Sequence, residues 1–547
     1  MPQRDAAATR DDIERVARDS FGLEHLRPAQ LDAIEAAVAG RDVLAVFATG
    51  YGKSAVYQVA AAMRPGVAVV VSPLIALQED QLVGLEGAPD APVAVALNSA
   101  RGSRARADAW RRLHDGEARL VLLAPEQLAK DEVLDELAEL DVSLLAVDEA
   151  HCVASWGHDF RPDYLMIGAM AERLGRPPVV ALTATASTPV REEIVARLGM
   201  HDPHVLIGDM DRPNIALAVR RHVDDDNKRR AVVEETAALA HPGLLYTATR
   251  RDAERYAAEL AERGLRTAAY HAGLPAAERG RVHEAFLAGE LDVVSATSAF
   301  GMGIDKEDVR FVVHADTPDS VDAYYQELGR AGRDGEPAQA TLHYRPEDLA
   351  LRRWFASRRP DADEVGSLYD ALGERERSRS ALARATGLSP RRVTALLSLL
   401  SDTGVVRLGR RGAALRRGAE RTTAVETALR RIEERELIDR SRIEVMRGYA
   451  ETRQCRRQVL LEAFGRERGE PCGNCDTCEA GTATAATEAS PVASGFTVDE
   501  RVRHDDWGEG TVMSVEEDRM TVFFDSVGYK LLSLALIEEH GLLQAAG

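Results

Sequence analysis

Short apolar runs alternate with amphipathic stretches through the first 350 residues. The runs from Val43 to Phe47, GVAVVVSP (66–73), ARLVLLAP (118–125) and VSLLAV (142–147) are typical of strands buried on both faces of a parallel sheet. From Gly243 a second series begins: GLLYTAT, a helix predicted over 250–263, TAAYHAG, a helix predicted over 276–288, and LDVVSAT. The alternation predicts an α/β fold with two parallel-sheet lobes.

After residue 350 the pattern changes to shorter helical segments. SRSALARATGLSPRRVTALLSLLSDTGVVRL is a helix–turn–helix pattern, with Ser389 as the predicted N-cap and Pro390 as the first helical residue. VVRLGRRGAALRRG then predicts two short strands joined by a basic turn, the wing of a winged helix. A linker, EAGTATAATEASPVASG, precedes a final segment of alternating polar and apolar residues, which predicts a small, strongly bent β-barrel.

Composition and charge narrow the class of protein. Five cysteines in 547 residues, mostly clustered, favour an intracellular metal site over disulfides. No stretch approaches the roughly 18 apolar residues that would span a bilayer, so we expect a cytoplasmic protein without membrane contact. The formal net charge is −20, but residues 351–470 hold 27 arginines against 18 acidic residues. This local basic character is typical of nucleic-acid binding, although general replacement of lysine by arginine is an alternative.

The stretch RDVLAVFATGYGKS joins an apolar strand to a helix through a glycine-containing turn. Backbone N–H groups of such a turn face a β-phosphate, the lysine neutralises phosphate oxygens and the serine ligates Mg²⁺. Phe47 stands where the general phosphate-loop pattern has its first glycine, so the match is incomplete. The predicted ATP-binding residues of this turn are Thr49, Gly50, Gly52, Lys53 and Ser54.

A second acidic strand end supports nucleotide chemistry. VSLLAVDEAH ends an apolar run with Asp148 and Glu149, an arrangement that holds Mg²⁺ and aligns an attacking water in P-loop ATPases. We expect Asp148 to bind the ion through water and Glu149 to be the general base. A solvated strand end is the alternative, but it becomes a poor explanation once the phosphate loop lies upstream.

The order of these motifs resembles the RecQ family of superfamily 2 helicases across nearly the entire first 350 residues. The motifs that carry the resemblance include FGLEHLRPAQ, DEAHCVASWGHDFRPDY, ALTATAS, TSAFGMGIDKEDVRFVVH and YYQELGRAGRDG. The resemblance implies two RecA-like lobes, with Gln30 reading the adenine edge and Arg27 supporting it. Arg330 and Arg333 are three apart on a predicted helix start, so we expect them on one face, where either could act as an arginine finger.

The same resemblance implies contact with DNA. An aromatic-rich loop follows the carboxylates, and its faces can stack on single-stranded bases; the predicted contacts are Trp156, His158, Phe160 and Arg161. Packing in an interlobe core is the alternative for these aromatic residues. In the winged-helix segment, phosphate contacts are predicted for Arg391, Arg392, Arg410 and Arg411, with a structural or protein-binding wing as the alternative. Typical RecQ proteins place such a domain after the zinc site, whereas here it precedes it.

Four of the five cysteines have metal-ligand spacing. Cys455, Cys472, Cys475 and Cys478 give C-x16-C-x2-C-x2-C, and four thiolates suit tetrahedral Zn²⁺. The spacing and the flanking residues strongly resemble the RecQ zinc-binding domain. An iron–sulfur cluster is the main chemical alternative.

The sequence therefore predicts an ATP-dependent DNA helicase or translocase that uses ATP, Mg²⁺ and Zn²⁺. The resemblance implies 3′ to 5′ movement on single-stranded or partly duplex DNA, a role in repair or recombination, and association with a bacterial nucleoid. The tail resembles the Tudor-like tail of UvrD/PcrA-type repair helicases, which implies RNA polymerase as a partner. A monomer is favoured. The alternatives are a superfamily 2 RNA helicase and a DNA-binding regulator with a vestigial motor.

Six segments are predicted along the chain. They are a RecA-like ATP-binding lobe (1–205), a second RecA-like lobe (206–350), a winged-helix-like domain (351–420), a helical hairpin with the zinc site (421–480), a linker (481–494) and a Tudor or SH3-like small β-barrel (495–547).

Overall fold

The protein is described by a computed structural model. The structure describes residues 9–545 except 49, 74, 99–100, 129, 155–163, 165, 302–305, 350–361, 410–411, 467, 484–495, 498–499, 516–518 and 525. The chain divides into two compact units, one formed by residues 1–348 with 449–488 and the other by residues 349–448 with 489–547. In the described ranges, no helix combines the length and apolar character needed to cross a membrane.

The first lobe is built on a parallel sheet that has seven strands in the described residues, in the order β3-β4-β2-β5-β6-β1-β7. Its strands are β1 (Val43–Val46), β2 (Val67–Val71), β3 (Ala94–Leu97), β4 (Leu120–Leu123), β5 (Val142–Val147), β6 (Val179–Thr183) and β7 (His204–Ile207). Successive residues alternate between two buried faces: Val46 and Val69 pack on one, Ala45 and Val70 on the other. The predicted lobe boundary at residue 205 falls inside β7, which pairs with β1.

Helices cover both faces of this sheet. They are α1 (Arg10–Phe21), α2 (Pro28–Val38), α3 (Ser54–Met63), α4 (Ile75–Glu86), α5 (Ser103–His114), α6 (Pro125–Leu128), α7 (Asp131–Ala138), α8 (Ile167–Arg173) and α9 (Thr188–Arg197), with a 3₁₀ turn at Ala150–Val153. Because β5, β6 and β1 are neighbours in a parallel sheet, the loops that follow them meet at one edge. That edge holds both the phosphate loop and the acidic strand end.

The second lobe has a parallel sheet of six strands within the described residues, in the order β10-β11-β9-β12-β13-β8. Its elements are β8 (Ile215–Arg221), α10 (Asp225–Ala238), β9 (Gly243–Tyr246), α11 (Arg250–Glu262), β10 (Thr267–Tyr270), α12 (Ala276–Leu287), β11 (Val293–Ala296), β12 (Phe311–His314), α13 (Val321–Leu328) and β13 (Ala338–Tyr344). The predicted pair of parallel-sheet lobes is therefore confirmed.

Residues 362–415 form a small helical domain with a two-stranded sheet. Its elements are α14 (Ala362–Ala371), α15 (Arg379–Thr386), α16 (Pro390–Asp402), β14 (Val406–Gly409) and β15 (Gly412–Leu415). Ser389 caps α16 by accepting from the backbone N of Arg392, as predicted. The apolar face of α16 is fully buried in the domain's own core, through Val393, Leu396 and Leu400.

A long helix, α17 (Arg421–Glu451), leads into the cysteine-rich region. Two short helices follow, α18 (Arg456–Glu462) and α19 (Asp476–Glu479). The segment predicted as a helical hairpin contains a helix of 31 residues and a following helix of seven residues.

The tail is a small antiparallel sheet in the order β19-β18-β17-β16-β20. It comprises β16 (Arg501–His504), β17 (Gly508–Val515), β18 (Arg519–Phe524), β19 (Gly528–Ser533), α20 (Leu534–His540) and β20 (Gln544–Ala545). Val502, Val512, Val522 and Phe524 are fully buried in a core of its own.

Candidate active site and metal centre

The phosphate loop runs from the end of β1 to the start of α3. Gly50 and Gly52 both have φ of 79°, a left-handed conformation that glycine adopts without a steric penalty. Lys53 immediately precedes α3 and its Nζ lies 3.4 Å from the carbonyl oxygen of Phe47. Thr49 lies outside the described residues. The loop has the local geometry of a phosphate cradle at a helix N-terminus.

Gln30 is hydrogen-bonded to this loop. Its Nε2 donates to the carbonyl oxygens of Tyr51 (2.9 Å) and Gly52 (3.0 Å), and its Oε1 accepts from the backbone N of Arg27 (2.8 Å). The Arg27 guanidinium lies over the Tyr51 ring at 4.3 Å. The two residues predicted to recognise adenine therefore sit against the phosphate loop, and adenine recognition stays a prediction.

The two carboxylates lie at the end of β5. Asp148 is 5% exposed, and its Oδ1 accepts from the backbone N of Glu149 at 3.0 Å. Burial and the neighbouring charge of Glu149 together raise the pKa of Asp148 to about 7, against the opposing charge of Lys53. Glu149 has φ of 49°, an uncommon conformation for a residue with a Cβ and one that clusters at functional sites. A divalent cation fits here, since it would favour the ionised carboxylates.

His151 links the carboxylates to the next strand. Its Nδ1 lies 3.4 Å from Oε2 of Glu149 and 3.0 Å from Oγ1 of Thr183, at the end of β6. The Thr183 hydroxyl in turn donates to the carbonyl oxygen of Thr185 at 2.9 Å. His151 and Thr183 both lie within motifs of the family resemblance, DEAHCVASWGHDFRPDY and ALTATAS, but neither was predicted as a site residue. Their polar character at the ends of adjacent parallel strands was the available signal.

The prediction that Arg330 and Arg333 share one face of a helix is wrong. Helix α13 ends at Leu328, and both arginines lie in the turns that follow. Gly332 within this segment has φ of 56°, which cannot continue a right-handed helix. The two side chains are therefore not held in helical register.

The two arginines occupy different environments. A Cβ placed on Gly50 of the phosphate loop would lie 3.4 Å from Cγ of Arg333. Arg330 is instead 5% exposed, and its Nη2 would lie 3.3 Å from a Cβ on Gly301 within the second lobe. Burial raises the pKa of Tyr246, and the nearby charge of Arg330 opposes that shift. Only Arg333 of this pair is brought against the loop after β1.

The four cysteines converge. Their Sγ atoms all lie within 4.8 Å of one another, with 4.0 Å separating Cys472 from Cys478 and Cys455 from Cys475. A tetrahedral site with Zn–S bonds of about 2.3 Å requires sulfur atoms about 3.8 Å apart, so the donor set fits zinc. The fifth cysteine, Cys152, is fully buried in the first lobe.

The cysteine-rich region packs on the second lobe, and this region, residues 449–483, is called the zinc module below. The Asp476 carboxylate accepts from Arg456 Nε and from the backbone N of Val219 in β8, both at 2.9 Å. The carbonyl oxygen of Asn474 accepts from the backbone N of Leu217 at 3.3 Å. A metal held by the four cysteines would therefore stabilise a segment that is hydrogen-bonded along β8 of the second lobe.

Four families match the chain. Residues 27–194 match "DEAD/DEAH box helicase", 227–335 match "Helicase conserved C-terminal domain" and 420–479 match "RecQ zinc-binding". Residues 498–538 match a "Protein of unknown function (DUF3553)". The zinc-binding match covers all four converging cysteines, so Zn²⁺ is the metal of this site.

The "Probable ATP-dependent DNA helicase RecS" of Bacillus subtilis is 36% identical over 366 residues, which are 66% of this chain and 73% of the relative. The chain belongs to the RecQ family. The "ATP-dependent DNA helicase RecQ" of Haemophilus influenzae is 34% identical over 85% of this chain. This chain spans 63% of that relative's length.

The fold of this RecQ-family chain also resembles a solved structure, Mycobacterium smegmatis helicase Lhr bound to ssDNA and AMP-PNP. The TM-score is 0.50 at 23% identity, over 74% of this chain and 60% of the other. This similarity supports the two RecA-like lobes as a fold.

The RecQ-like DNA contacts predicted from sequence fall largely outside the described residues. Those outside are Trp156, His158, Phe160, Arg161, Arg410 and Arg411, and the side chain of Arg391 is also not described. Arg392 is described, and its Nη2 lies 2.6 Å from Oε2 of Glu364 in the same small domain. A phosphate contact by Arg392 would compete with this ion pair.

Proposed function

We propose that this protein is an ATP-driven DNA helicase and translocase that moves 3′ to 5′ from single-stranded DNA and acts in repair or recombination. One observation carries the proposal: the phosphate loop, the two carboxylates and Arg333 lie together at one edge of the sheet of the first lobe. The zinc module and the DNA-helicase names of the relatives support DNA over RNA. Intact motor residues argue against a vestigial motor.

In this proposal each motor residue has a defined task. Lys53 and the N–H groups before α3 bind the β- and γ-phosphates of ATP, while Ser54 and Asp148 hold Mg²⁺. The bound Mg²⁺ supplies charge that stabilises the phosphate oxygens. Glu149 accepts the proton of the attacking water, and its contact with His151 holds the carboxylate in place. Arg27 and Gln30 recognise the adenine.

We assign the arginine-finger role to Arg333. Its side chain already lies against Gly50 of the phosphate loop, whereas Arg330 packs inside the second lobe. An arginine finger must reach charge that develops on the γ-phosphate, and that charge appears beside this loop.

The small domain at 362–415 supports a winged-helix assignment. Helix α16 has the N-cap and buried apolar face of a recognition helix, and β14 and β15 form an antiparallel hairpin. In this assignment Arg391, Arg392, Arg410 and Arg411 contact DNA phosphates, and the loop with Trp156, His158, Phe160 and Arg161 stacks on single-stranded bases.

The experiment that tests the main proposal is ATP hydrolysis with single-stranded DNA, RNA of the same sequence, or no polymer. Single-stranded DNA is expected to raise kcat by about tenfold or more, because a bound polymer favours the arrangement of the two lobes in which the site is complete. Release of phosphate measures the rate. Stronger stimulation by RNA would favour the RNA-helicase alternative, and the absence of hydrolysis would favour a vestigial motor.

For the tail, we propose a Tudor-like small β-barrel that binds RNA polymerase. The segment from Phe496 carries 11 acidic and four basic residues, so a phosphate backbone is an unfavourable partner. The rings of His504 and Trp507 stack at 4.0 Å, but His504 is buried and Trp507 packs partly buried against the tail's own core, so this pair serves the core. The support for a protein partner is therefore the acidic excess of this segment together with its resemblance to the Tudor-like tail of UvrD/PcrA-type helicases.

Removing residues 495–547 should leave DNA-stimulated hydrolysis within about twofold, because the tail has its own hydrophobic core and motor residues lie elsewhere. The full chain, but not the truncated one, should retain purified RNA polymerase in a pull-down. If truncation instead cripples unwinding of naked DNA, the tail is part of the motor.

A further inference from the structure

The segment between β7 and β8, residues 208–214, holds the turns that follow α13. Arg212 donates to three carbonyl oxygens there: Nη1 to Gly329 at 2.9 Å, and Nη2 to Ala331 at 2.6 Å and Gly332 at 2.9 Å. The last carbonyls of a helix and its following turn lack intrahelical partners, and a guanidinium can satisfy several at once. Arg212 therefore determines how the chain leaves α13.

The turns that Arg212 holds are those that carry Arg333. Asn214 adds two further bonds, from Nδ2 to the carbonyl oxygens of Gly332 (2.8 Å) and Glu336 (2.9 Å). The packing is close, since a Cβ on Gly332 would lie 2.4 Å from that Nδ2. The backbone on both sides of Arg333 is thus fastened to one short segment.

The same segment is held on its other side by the zinc module. Arg457 Nη1 lies 2.7 Å from Oδ1 of Asp211, and Arg468 pairs with the other carboxylate oxygen. Arg457 also donates to the carbonyl oxygen of Ile215 at 2.6 Å, and Arg466 donates to that of Gly208 at 3.3 Å. Neighbouring residues 211 and 212 therefore connect the zinc module to the turns after α13.

Charge supports a functional role for this arrangement. Burial lowers the pKa of Arg212, and the positive charges of Arg333, Arg27 and Arg457 lower it further. A group of arginines held together beside a phosphate loop is unfavourable by itself but becomes favourable when a polyanion binds. The arrangement is suited to a triphosphate.

We propose that Arg212 is a positioning residue for Arg333, and that Asp211 couples this positioning to the zinc module. The proposal rests on the proposed ATP hydrolysis and adds to it a route by which the zinc module sets the rate. Arg212 does not itself touch the nucleotide.

The test compares Arg212→Lys with a matched control, Arg64→Lys. Arg64 also donates to three carbonyl oxygens: those of Ala37 (3.3 Å) and Val38 (2.9 Å) at the end of α2, and that of Ser143 (2.9 Å) in β5. Lysine keeps the charge but loses the planar fork, so both variants lose equivalent bonds. The control lies at the far end of α3 from the phosphate loop.

We expect Arg212→Lys to lower the kcat of DNA-stimulated hydrolysis by about 10- to 100-fold, because a misplacement of 1 Å can cost that much. The KM for ATP should stay within about twofold, since ground-state contacts remain. Arg64→Lys should change kcat by less than about threefold at a similar loss of Tm. The double variant Arg212→Lys/Arg333→Ala should be no slower than Arg333→Ala alone, since both changes act through one side chain.

Hydrogen exchange of the amides at 329–335 provides a measurement that does not depend on turnover. Exchange should accelerate in Arg212→Lys and in Asp211→Asn, with zinc retained in the latter, and should be unchanged in Arg64→Lys. Unchanged exchange in Arg212→Lys, or a kcat no lower than that of Arg64→Lys, would overturn the proposal. The proposal would also be overturned if the double variant lowered kcat by the product of the fold-changes of the two single variants. Accelerated exchange in a chain without any hydrolysis would refute the proposed function and leave the positioning contact standing.

Discussion

Lys53→Ala is expected to abolish ATP hydrolysis, whereas Glu149→Gln should still bind ATP and hydrolyse it about 10²-fold more slowly or worse. In the proposed mechanism the lysine neutralises phosphate charge in the ground state and the transition state, so its loss should affect both binding and turnover. Glutamine retains the shape of Glu149 but cannot accept the proton of water. Titration with a fluorescent ATP analogue measures binding, and phosphate release measures hydrolysis.

Controls for this pair are available on the same lobe. Glu172→Gln removes an acid that is 64% exposed on α8, and Lys130→Ala removes a lysine bound only to a neighbouring side chain among its described contacts. Both controls should hydrolyse ATP at the rate of the unmodified chain. Hydrolysis at that same rate by Glu149→Gln would eliminate this residue as the general base.

Cys472→Ser is expected to release the metal and unfold the zinc module while both lobes stay folded. The free energy of binding at such sites, about 10–16 kcal/mol in zinc-finger peptides, is also folding free energy. The zinc content measured by elemental analysis should fall from about one Zn per chain, the number that one four-thiolate site holds, to none. Limited proteolysis should cut within residues 452–480 first.

The matched control is Cys152→Ser, which changes a buried cysteine in the first lobe and should retain the metal. Iron with visible absorbance in the unmodified protein would contradict the zinc assignment. Cleavage of both lobes at the same rate as the zinc module would contradict its separate unfolding.

Local signals predicted the elements around the phosphate loop well because these signals are contiguous in sequence. The strand ending at Val46, the glycine turn and the helix starting at Ser54 lie within a dozen residues, so propensity and pattern agree there. The cysteine spacing was equally informative, because three of its four ligands lie within one short loop. Such features require no knowledge of the tertiary fold.

Predictions failed or fell short where long-range contacts decide the geometry. Arg330 and Arg333 were expected on a helix. The turns after α13 are instead held by hydrogen bonds from Arg212, which lies more than a hundred residues earlier in the sequence. Arg392 was chosen for its charge alone, and its pairing with Glu364 depends on how α14 packs on α16. The residues at 211–214 carried one available signal, a polar DRPN sequence between two apolar strands.

The first compact unit is formed by two separate stretches of the chain, and this determines where its sequence can tolerate insertions and replacements. Residues 349–448 belong to the second unit, whereas the residues on either side of them contact one another within the first. The Tyr344 hydroxyl donates to Glu451 at 2.7 Å, and the ring centroids of Tyr324 and Tyr449 lie 5.1 Å apart. Closing a loop costs only about 0.6 kcal/mol more for each doubling of its length. Sequence between these points can therefore be lengthened, shortened or exchanged as a cassette, while the junction between motor and zinc module keeps its contacts.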